Sequence, residues 1–458
     1  MAIASINPST GITEQVFEPH TPDEVEAKLA AASTAVTALR ATTFATRTEW
    51  MNASADLLQT EVDSVAEMMT REMGKTLVSA RAEALKCVKN MRFYAANAEH
   101  FLDDEVLAAP SSVGATSAVA RYEPLGVVLA VMPWNFPLWQ VIRFAAPALM
   151  AGNVGILKHA SNVPQSAVYL GNLFTRGGFP EGAFSTLLIG SAQVKAIIED
   201  RRVKAVTLTG SEPAGRSVAG IAGQNIKKAV LELGGSDPFI VMPSADVAAA
   251  AKTATTARTG NSGQSCIAAK RFIVHEDVYD EFTTLFIALM GALRMGDPLL
   301  ETTDVGPLAT EGGREDLVEL VSDALAHGAR ALVGGAKPDG PGWFYPPTVL
   351  AGITPEMRLH QEEAFGPVAT LYRAADADEA LEIANGTVFG LSSSVWSTDE
   401  SEVIRFQSDL EAGAVFVNGM TVSYPELPFG GIKDSGYGRE LAAAGIREFC
   451  NLKTIWRA

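Results

Sequence analysis

The chain has 458 residues, and its 47% apolar and 19% charged residues are the proportions of an ordinary globular protein, which excludes disordered, collagen-like and coiled-coil architectures. The 53 acidic residues outnumber the 36 basic ones and give a formal net charge of −17, which disfavours binding to nucleic acid or to an anionic membrane surface. Three cysteines without a CxxC spacing and six scattered histidines predict neither disulfides nor a metal site. The N-terminus does not look like a secretory signal and no stretch suits a membrane helix, so we expect a cytoplasmic protein.

The first hundred residues are predicted to be helical. Thr21–Glu24 has the sequence of a capping box, with proline at the first helical position, and it opens an amphipathic run to about Leu39. A second helical block covers residues 46–73 and a third covers residues 75–100.

Beyond residue 100, short apolar runs alternate with helical segments from Gly126 to Leu233, and a second such series begins at about Asp237. This alternation predicts an α/β fold with two doubly wound parallel sheets and a ligand cleft between them. Ser117–Tyr122 and the apolar tail Phe449–Trp456 fit neither sheet. The first predicts a short β-ribbon, and the tail is a candidate to pair either with a partner subunit or with its own chain.

Cys266 is the first residue that points to chemistry. It follows a turn rich in Gly, Ser and Asn and begins a short apolar run. If that run starts a helix, its backbone N–H groups would stabilise a thiolate, which is the nucleophilic form of cysteine. The alternative is an inert buried cysteine, and a cysteine hydrolase would need a partner histidine that no motif supplies.

Three further motifs lie at predicted strand ends. Glu232 ends an apolar strand and precedes two glycines, so it is either a desolvated general base with a raised pKa or a side chain that reaches solvent. Asn135, between two prolines in PWNFP, offers a rigid donor to an oxyanion, although asparagine is also common in turns. The turn at Gly210 and Ser211 can present N–H groups to a phosphate.

Together these motifs resemble those of NAD(P)-dependent aldehyde dehydrogenases, in the same order and spacing over essentially the whole chain. They are PWNFP (133–137), the Gly210–Ser211 turn, LELGG (231–235), GQSC (263–266), EAFGP (363–367) and PFGG (428–431). Around PWNFPLWQVIR and NGMTVSYPELPFGGIK the chain looks most like bacterial succinate-semialdehyde dehydrogenases. The resemblance implies two doubly wound parallel-sheet domains plus a small β oligomerisation segment, in a homodimer or homotetramer. The expected division is a dinucleotide-binding domain (1–108 and 126–234), a catalytic domain (235–428) and an oligomerisation ribbon and tail (109–125 and 429–458).

The resemblance also implies a mechanism. The Cys266 thiolate attacks the aldehyde carbon, and the Asn135 amide with the Cys266 backbone N–H holds the resulting oxyanion. Hydride leaves for the nicotinamide and gives a thioester, which water activated by Glu232 hydrolyses to the acid.

For the cofactor, the resemblance implies contacts from six residues: Trp134, Lys158, Gly210, Ser211, Glu363 and Phe365. Ser161 discriminates between the two cofactors, because NAD-restricted relatives often carry a glutamate there. A carboxylate would repel a 2′-phosphate, whereas Ser161 can donate to one beside Lys158. We therefore expect NADP to be preferred and NAD to be usable.

For the substrate, the resemblance implies that Arg143 and Ser423 bind a remote carboxylate, with Phe429 and Trp139 as apolar walls. A guanidinium suits a carboxylate, although Arg143 could instead be a structural ion-pair partner. Some relatives carry a second arginine at a position that is Gly260 here, and the direction of the nearby Arg258 is open.

The expected activity is therefore NADP-linked oxidation of succinic semialdehyde to succinate. The alternative enzyme is an aldehyde dehydrogenase of broad specificity for aliphatic or aromatic aldehydes, which Gly260 favours. A structural or binding protein without turnover is disfavoured by the presence of Cys266, Glu232 and Asn135 together.

Overall fold

A computed structural model describes residues 2–458 of the chain. Within these residues there are fifteen α-helices: α1 (Pro22–Arg40), α2 (Phe44–Thr60), α3 (Val62–Met73), α4 (Leu77–Phe101), α5 (Trp139–Ala151), α6 (Pro164–Arg176), α7 (Val194–Glu199), α8 (Glu212–Gln224), α9 (Val247–Thr259), α10 (Glu276–Gly291), α11 (Glu311–Ala326), α12 (Arg358–Gln361), α13 (Ala377–Asn385), α14 (Glu400–Asp409) and α15 (Ala442–Glu448). None of them combines the length and the apolar character that a membrane-spanning helix needs.

The described residues also form twenty strands: β1 (Ile3–Asn7), β2 (Ile12–Phe17), β3 (Glu105–Val106), β4 (Ser117–Pro124), β5 (Val127–Met132), β6 (Val154–His159), β7 (Phe184–Thr186), β8 (Val203–Thr209), β9 (Lys228–Glu232), β10 (Asp237–Val241), β11 (Ala269–His275), β12 (Arg330–Val333), β13 (Thr348–Ala351), β14 (Val368–Ala374), β15 (Phe389–Gly390), β16 (Ser393–Trp396), β17 (Val415–Val417), β18 (Ile432–Lys433), β19 (Gly436–Tyr437) and β20 (Cys450–Arg457). β1 pairs with β2 and β15 pairs with β18 in two-stranded sheets.

The N-terminal helices follow their local signals closely. Thr21 caps α1 with both bonds of a capping box, its hydroxyl accepting from the Glu24 N–H while the Glu24 carboxylate accepts from the Thr21 N–H. The second predicted helical block is two helices, since α2 ends at Thr60 and α3 begins at Val62. Gly74 ends α3 with a φ of 79°, the left-handed conformation that glycine adopts without strain.

The first large sheet has the order β19-β9-β8-β5-β6-β7, and every pairing in it is parallel except that of β19 with β9. Its central strands are buried almost completely, as expected for a parallel sheet covered by helices on both faces. The second sheet has the order β12-β13-β14-β11-β10-β16-β17, with only β12 antiparallel to its neighbour. The α/β fold with two doubly wound sheets is confirmed.

The third sheet has the order β20-β4-β3, with Cys450 opposite Pro124 and Arg457 opposite Ser117. The tail therefore pairs with its own chain, and within residues 2–458 the other edge of β20 has no neighbour. Two short strands differ from the expected division of the chain. Glu105–Val106 joins this third sheet, and Gly436–Tyr437 extends the first sheet as β19. Two residues are too few to show a sequence period, so these pairings come from long-range packing.

Candidate active site

Four of the predicted motifs meet at one edge of the first sheet, because the carboxyl ends of parallel strands lie together. PWNFP follows β5, Lys158 lies near the end of β6, Gly210 follows β8, and Glu232 is the last residue of β9. Residues 260–268, called the cysteine loop because they carry Cys266, precede β11 of the second sheet and contact this edge through Gln264 and Asn135. The cleft between the two sheets is therefore where the sequence motifs converge.

The loop before Cys266 is held in an unusual backbone conformation. Asn261, Ser262 and Gly263 all have a positive φ, and a Cβ at Gly263 would come within 2.4 Å of the Gly366 backbone. Only glycine allows that close approach. Arg258 is buried and donates to the carbonyl oxygens of Gly263 (2.6 Å) and Ala269. It is therefore a support of the cysteine loop and does not face a substrate.

Cys266 does not begin a helix, so the condition for stabilising a thiolate by a helix N-terminus is not met. A turn follows Cys266 and leads at once into β11, because a short apolar run suits a buried strand as well as a helix. A lysine is nearby instead: Lys270 Nζ donates to the carbonyl oxygens of Ser265 (2.8 Å) and Cys266 (2.6 Å). Burial raises the pKa of the Cys266 thiol to about 12, opposed by the positive charges of Lys270 and Arg143.

Asn135 is tied directly to the cysteine loop. Its side-chain amide donates to the Gln264 carbonyl (3.2 Å), and the Asn261 amide donates to the carbonyl oxygens of Asn135 (2.8 Å) and Gln264 (3.1 Å). The Asn135 side chain is buried, so its N–H donor is fixed against Gln264, which lies two residues before Cys266 in the cysteine loop. This geometry suits stabilisation of a negative oxygen formed at the sulfur-bound carbon.

The two glycines of LELGG permit close packing beyond β9. A Cβ at Gly234 would come within 2.7 Å of the Glu363 carboxylate, and one at Gly235 within 2.6 Å of the Cys266 carbonyl oxygen. The Glu363 carboxylate accepts from the Gly235 N–H (3.2 Å) and pairs with Lys270 (3.0 Å). Lys270 thus connects the cysteine loop to Glu363.

A cavity of about 280 Å³ opens between these segments. Seven of the predicted site residues line it: Trp134, Asn135, Gly210, Ser211, Cys266, Glu363 and Phe365. The rings of Trp134 and Phe365 meet edge to face with their centroids 5.7 Å apart, which gives the cavity an aromatic rim. The remaining predicted residues lie outside this lining.

Glu232 is 1% exposed, and neither of its carboxylate oxygens has a hydrogen-bond partner within the described part of the chain. Burial raises its pKa well above the ordinary value, and the charge of Glu440 raises it further, while Arg143 and Arg439 lower it. A carboxyl group with a raised pKa and free oxygens is suited to accept a proton from water.

The structure differs from expectation at Arg143. This residue is 2% exposed and forms an ion pair with Glu440, which is 4% exposed. The guanidinium also lies 4.7 Å from the centre of the Phe429 ring and 3.4 Å from the Thr209 hydroxyl. The structural ion pair that the sequence analysis gave as the alternative for Arg143 is therefore present. The Glu440 carboxylate already balances the charge of the Arg143 guanidinium.

Two of the other predicted substrate residues, Ser423 and Trp139, contact a lysine that no sequence motif indicated. Lys86 Nζ donates to the Ser423 hydroxyl (2.7 Å) and lies 4.0 Å from the centre of the Trp139 ring. Ser423 and Trp139 are both buried. Lys86 was missed because it is 53 residues before Trp139 and 337 before Ser423, and a lysine on an amphipathic helix gives no local signal.

The cofactor residues outside the cavity have the character needed for a phosphate group. Within residues 2–458 Lys158 has no carboxylate within ion-pair distance, and burial lowers its pKa. Ser161 lies in the turn after β6, at the position where NAD-restricted relatives often carry a glutamate, so the chain has a hydroxyl there and no carboxylate. At the cavity itself, the N-terminus of α8 is capped at Ser211 without a side-chain bond, which leaves backbone N–H groups for a phosphate. Together these groups fit an anionic dinucleotide.

Among the described residues, no group of three or more His, Cys, Asp or Glu side chains could hold a metal ion.

Comparison with known proteins identifies the family of the chain. The family model described as the aldehyde dehydrogenase family matches residues 1–455. The chain is 65% identical, over 100% of its length and 97% of the relative, to a succinate-semialdehyde dehydrogenase [NADP(+)] of Mycobacterium avium (strain 104). It is 63% identical over the full length of both chains to succinate-semialdehyde dehydrogenase [NADP(+)] 1 of Mycobacterium tuberculosis (strain ATCC 25618 / H37Rv).

Solved structures show the same architecture. Succinic semialdehyde dehydrogenase from Streptococcus pyogenes, in complex with NADP+ as the cofactor, superposes with a TM-score of 0.96 at 36% identity, with 99% of each chain covered. An NAD-dependent aldehyde dehydrogenase from Sinorhizobium meliloti gives a TM-score of 0.96 at 32% identity, covering 99% of this chain and 91% of that one. The chain belongs to the aldehyde dehydrogenase family.

Proposed function

We propose that the chain oxidises succinic semialdehyde to succinate with NADP+ as the preferred cofactor. The observation that carries this proposal is the convergence of Cys266, Asn135 and Glu363 on one cavity, with the charge of the buried Glu232 acting on the pKa of the Cys266 thiol. The relatives at 63–65% identity, which are named for this activity, give independent support.

Cys266 is the proposed nucleophile, and its sulfur forms a bond to the aldehyde carbon. The thiol must first lose its proton to solvent in the cavity, and the charges of Lys270 and Arg143 favour the thiolate that remains. The Asn135 amide and the Cys266 backbone N–H then hold the oxygen that becomes negative. When bound, NADP+ supplies the acceptor for the hydride that leaves this carbon.

Glu232 is the proposed general base for the second half of the reaction. Its free carboxylate oxygens can take a proton from a water molecule that attacks the thioester, and this releases the acid and regenerates Cys266. The dinucleotide would be held by Trp134, Phe365 and Glu363 at the nicotinamide end. At the adenosine end it would be held by four residues: Lys158, Ser161, Gly210 and Ser211.

The remote carboxylate of the substrate would lie beside the face of α5 that carries Trp139 and Arg143, with Ser423 and Phe429 opposite. These residues remain predicted contacts. We also propose that the chain works in the cytoplasm as a homodimer or homotetramer, and the free edge of β20, where Leu452 and Trp456 are half exposed, supports the oligomer.

A broad-specificity aldehyde dehydrogenase is the second candidate. It is favoured by the balanced charge of Arg143 and by Gly260, where an added Cβ would meet nothing within 4 Å. The two candidates differ in whether a carboxylate on the substrate matters.

The test compares kcat/KM with NADP+ for succinic semialdehyde and for butanal, which has the same chain length without the carboxylate. A buried charged hydrogen bond contributes about 1.5–3 kcal/mol, so we expect a preference of about 10- to 150-fold for the semialdehyde. Equal values would leave the aldehyde chemistry intact and would contradict the substrate assignment.

A further inference from the structure

Lys86 lies where three parts of the chain meet. It is on α4, it stacks over Trp139 at the start of α5, and its Nζ is 2.7 Å from the hydroxyl of Ser423. Trp139 and Arg143 are four residues apart and share one face of α5. Lys86 therefore borders the surface on which the far end of a substrate would lie, and it is itself partly exposed to solvent.

Lys86 has no counter-ion of its own. Within residues 2–458 no carboxylate lies within 4.0 Å of its Nζ, although the neighbouring Lys89 pairs with Glu426. Burial, together with the positive charge of Arg143, lowers the pKa of Lys86 to about 8. A partly buried cation without an anion is unfavourable, and a ligand carboxylate would relieve that cost.

The charge balance around the site distinguishes Lys86 from Arg143. The Arg143 guanidinium is buried against Glu440, so an incoming carboxylate would have to compete with an existing anion. At Lys86, an incoming carboxylate would compete only with the neutral hydroxyl of Ser423. In addition, the indole N–H of Trp139 is buried without an acceptor in the described part of the chain. Lys86 and Ser423 thus offer adjacent donors beside the Trp139 ring, and an anion is the missing partner.

We propose that Lys86, together with Ser423, binds the remote carboxylate of the substrate. This proposal rests on the proposed function, which it deepens by naming the cation that recognises an ω-carboxy aldehyde. Lys86 would supply from helix α4 a basic group that neither Gly260 nor the buried Arg258 offers to the substrate. A flexible lysine can leave the Ser423 hydroxyl for a carboxylate without disturbing the core.

The experiment measures kcat/KM for succinic semialdehyde and for butanal, with NADP+, in the wild type and in three variants. Lys86→Met should lower the ratio of the two values at least about tenfold, mainly through KM for the semialdehyde. Lys86→Arg keeps the charge, so its ratio of kcat/KM for the semialdehyde over butanal should be at least about three times that of Lys86→Met. Lys89→Met is the matched control on the same helix, and its ratio should stay within about twofold of the wild type, since its ion pair is exposed.

The outcomes separate this proposal from the proposed function. A wild type without a preference for the semialdehyde contradicts the proposed function. A wild type with that preference, combined with an unaltered ratio in Lys86→Met, overturns the role of Lys86 alone. An equal fall for both aldehydes in Lys86→Met and Lys86→Arg would show a purely structural role and would also overturn it.

Discussion

Removing the Arg143 side chain tests whether its ion pair with Glu440 supports the fold. In Arg143→Met the Glu440 carboxylate, 4% exposed, loses its counter-ion and has no other hydrogen-bond partner in residues 2–458. Breaking a buried pair by removing one partner costs about 3–5 kcal/mol, and we expect a loss of this size in the free energy of unfolding. Arg143→Met/Glu440→Gln removes the uncompensated charge and should recover about 2 kcal/mol or more of the loss.

Urea unfolding followed by tryptophan fluorescence measures these differences, and Arg216→Met, at an exposed ion pair with Asp434, is the control. The loss should grow as the pH rises. Without Arg143, burial keeps the folded-state pKa of Glu440 above its unfolded value of about 4.3. The folded state therefore binds more protons than the unfolded state does. Its free energy of unfolding falls as the pH rises and Glu440 releases its proton. An Arg143→Met variant within about 0.5 kcal/mol of the wild type, or strictly additive effects in the double variant, would refute this reasoning.

Two further predictions concern the cofactor and the nucleophile. Ser161→Glu should lower the ratio of kcat/KM for NADP+ over NAD+ by at least about tenfold, because a carboxylate beside Lys158 repels a 2′-phosphate. An unaltered ratio would contradict the placement of that phosphate. With no cofactor added, the rate at which iodoacetamide modifies Cys266 should rise about tenfold for each pH unit between about 7 and 9, because a pKa of about 12 leaves the thiolate fraction far from saturation. Cys266→Ser measures the background rate at which iodoacetamide modifies Cys450. A Cys266 modification rate that levels off below pH 8 would contradict the raised pKa of its thiol.

The main features of the cleft could be predicted because they depend on local order. Motifs that follow parallel strands are brought to one edge by the sheet itself, so Asn135, Gly210 and Glu232 meet without any further information. Helix caps such as Thr21 are equally local. The α/β class and the two sheets followed from the alternation of apolar runs and helices.

What the sequence could not predict depends on side chains that meet across distant segments. Arg143 and Glu440 are 297 residues apart, and nothing near either one indicates the other. Lys270 was missed because its function is to donate to backbone carbonyl oxygens, which have no sequence signature. The sequence could not decide whether a helix or a strand follows Cys266, because a short apolar run fits both, and pairing with β10 and β14 makes it the strand β11.

The most direct test of the central chemistry is pre-steady-state formation of NADPH by Glu232→Gln with succinic semialdehyde. Glutamine keeps the shape of the side chain but cannot take a proton from water. The first turnover should therefore proceed as a burst, and steady-state turnover should then be about 10²–10⁴-fold slower than in the wild type. Cys266→Ala should show no burst at all. Steady-state turnover of Glu232→Gln within about threefold of the wild type would contradict the assignment of Glu232 as the base that hydrolyses the thioester.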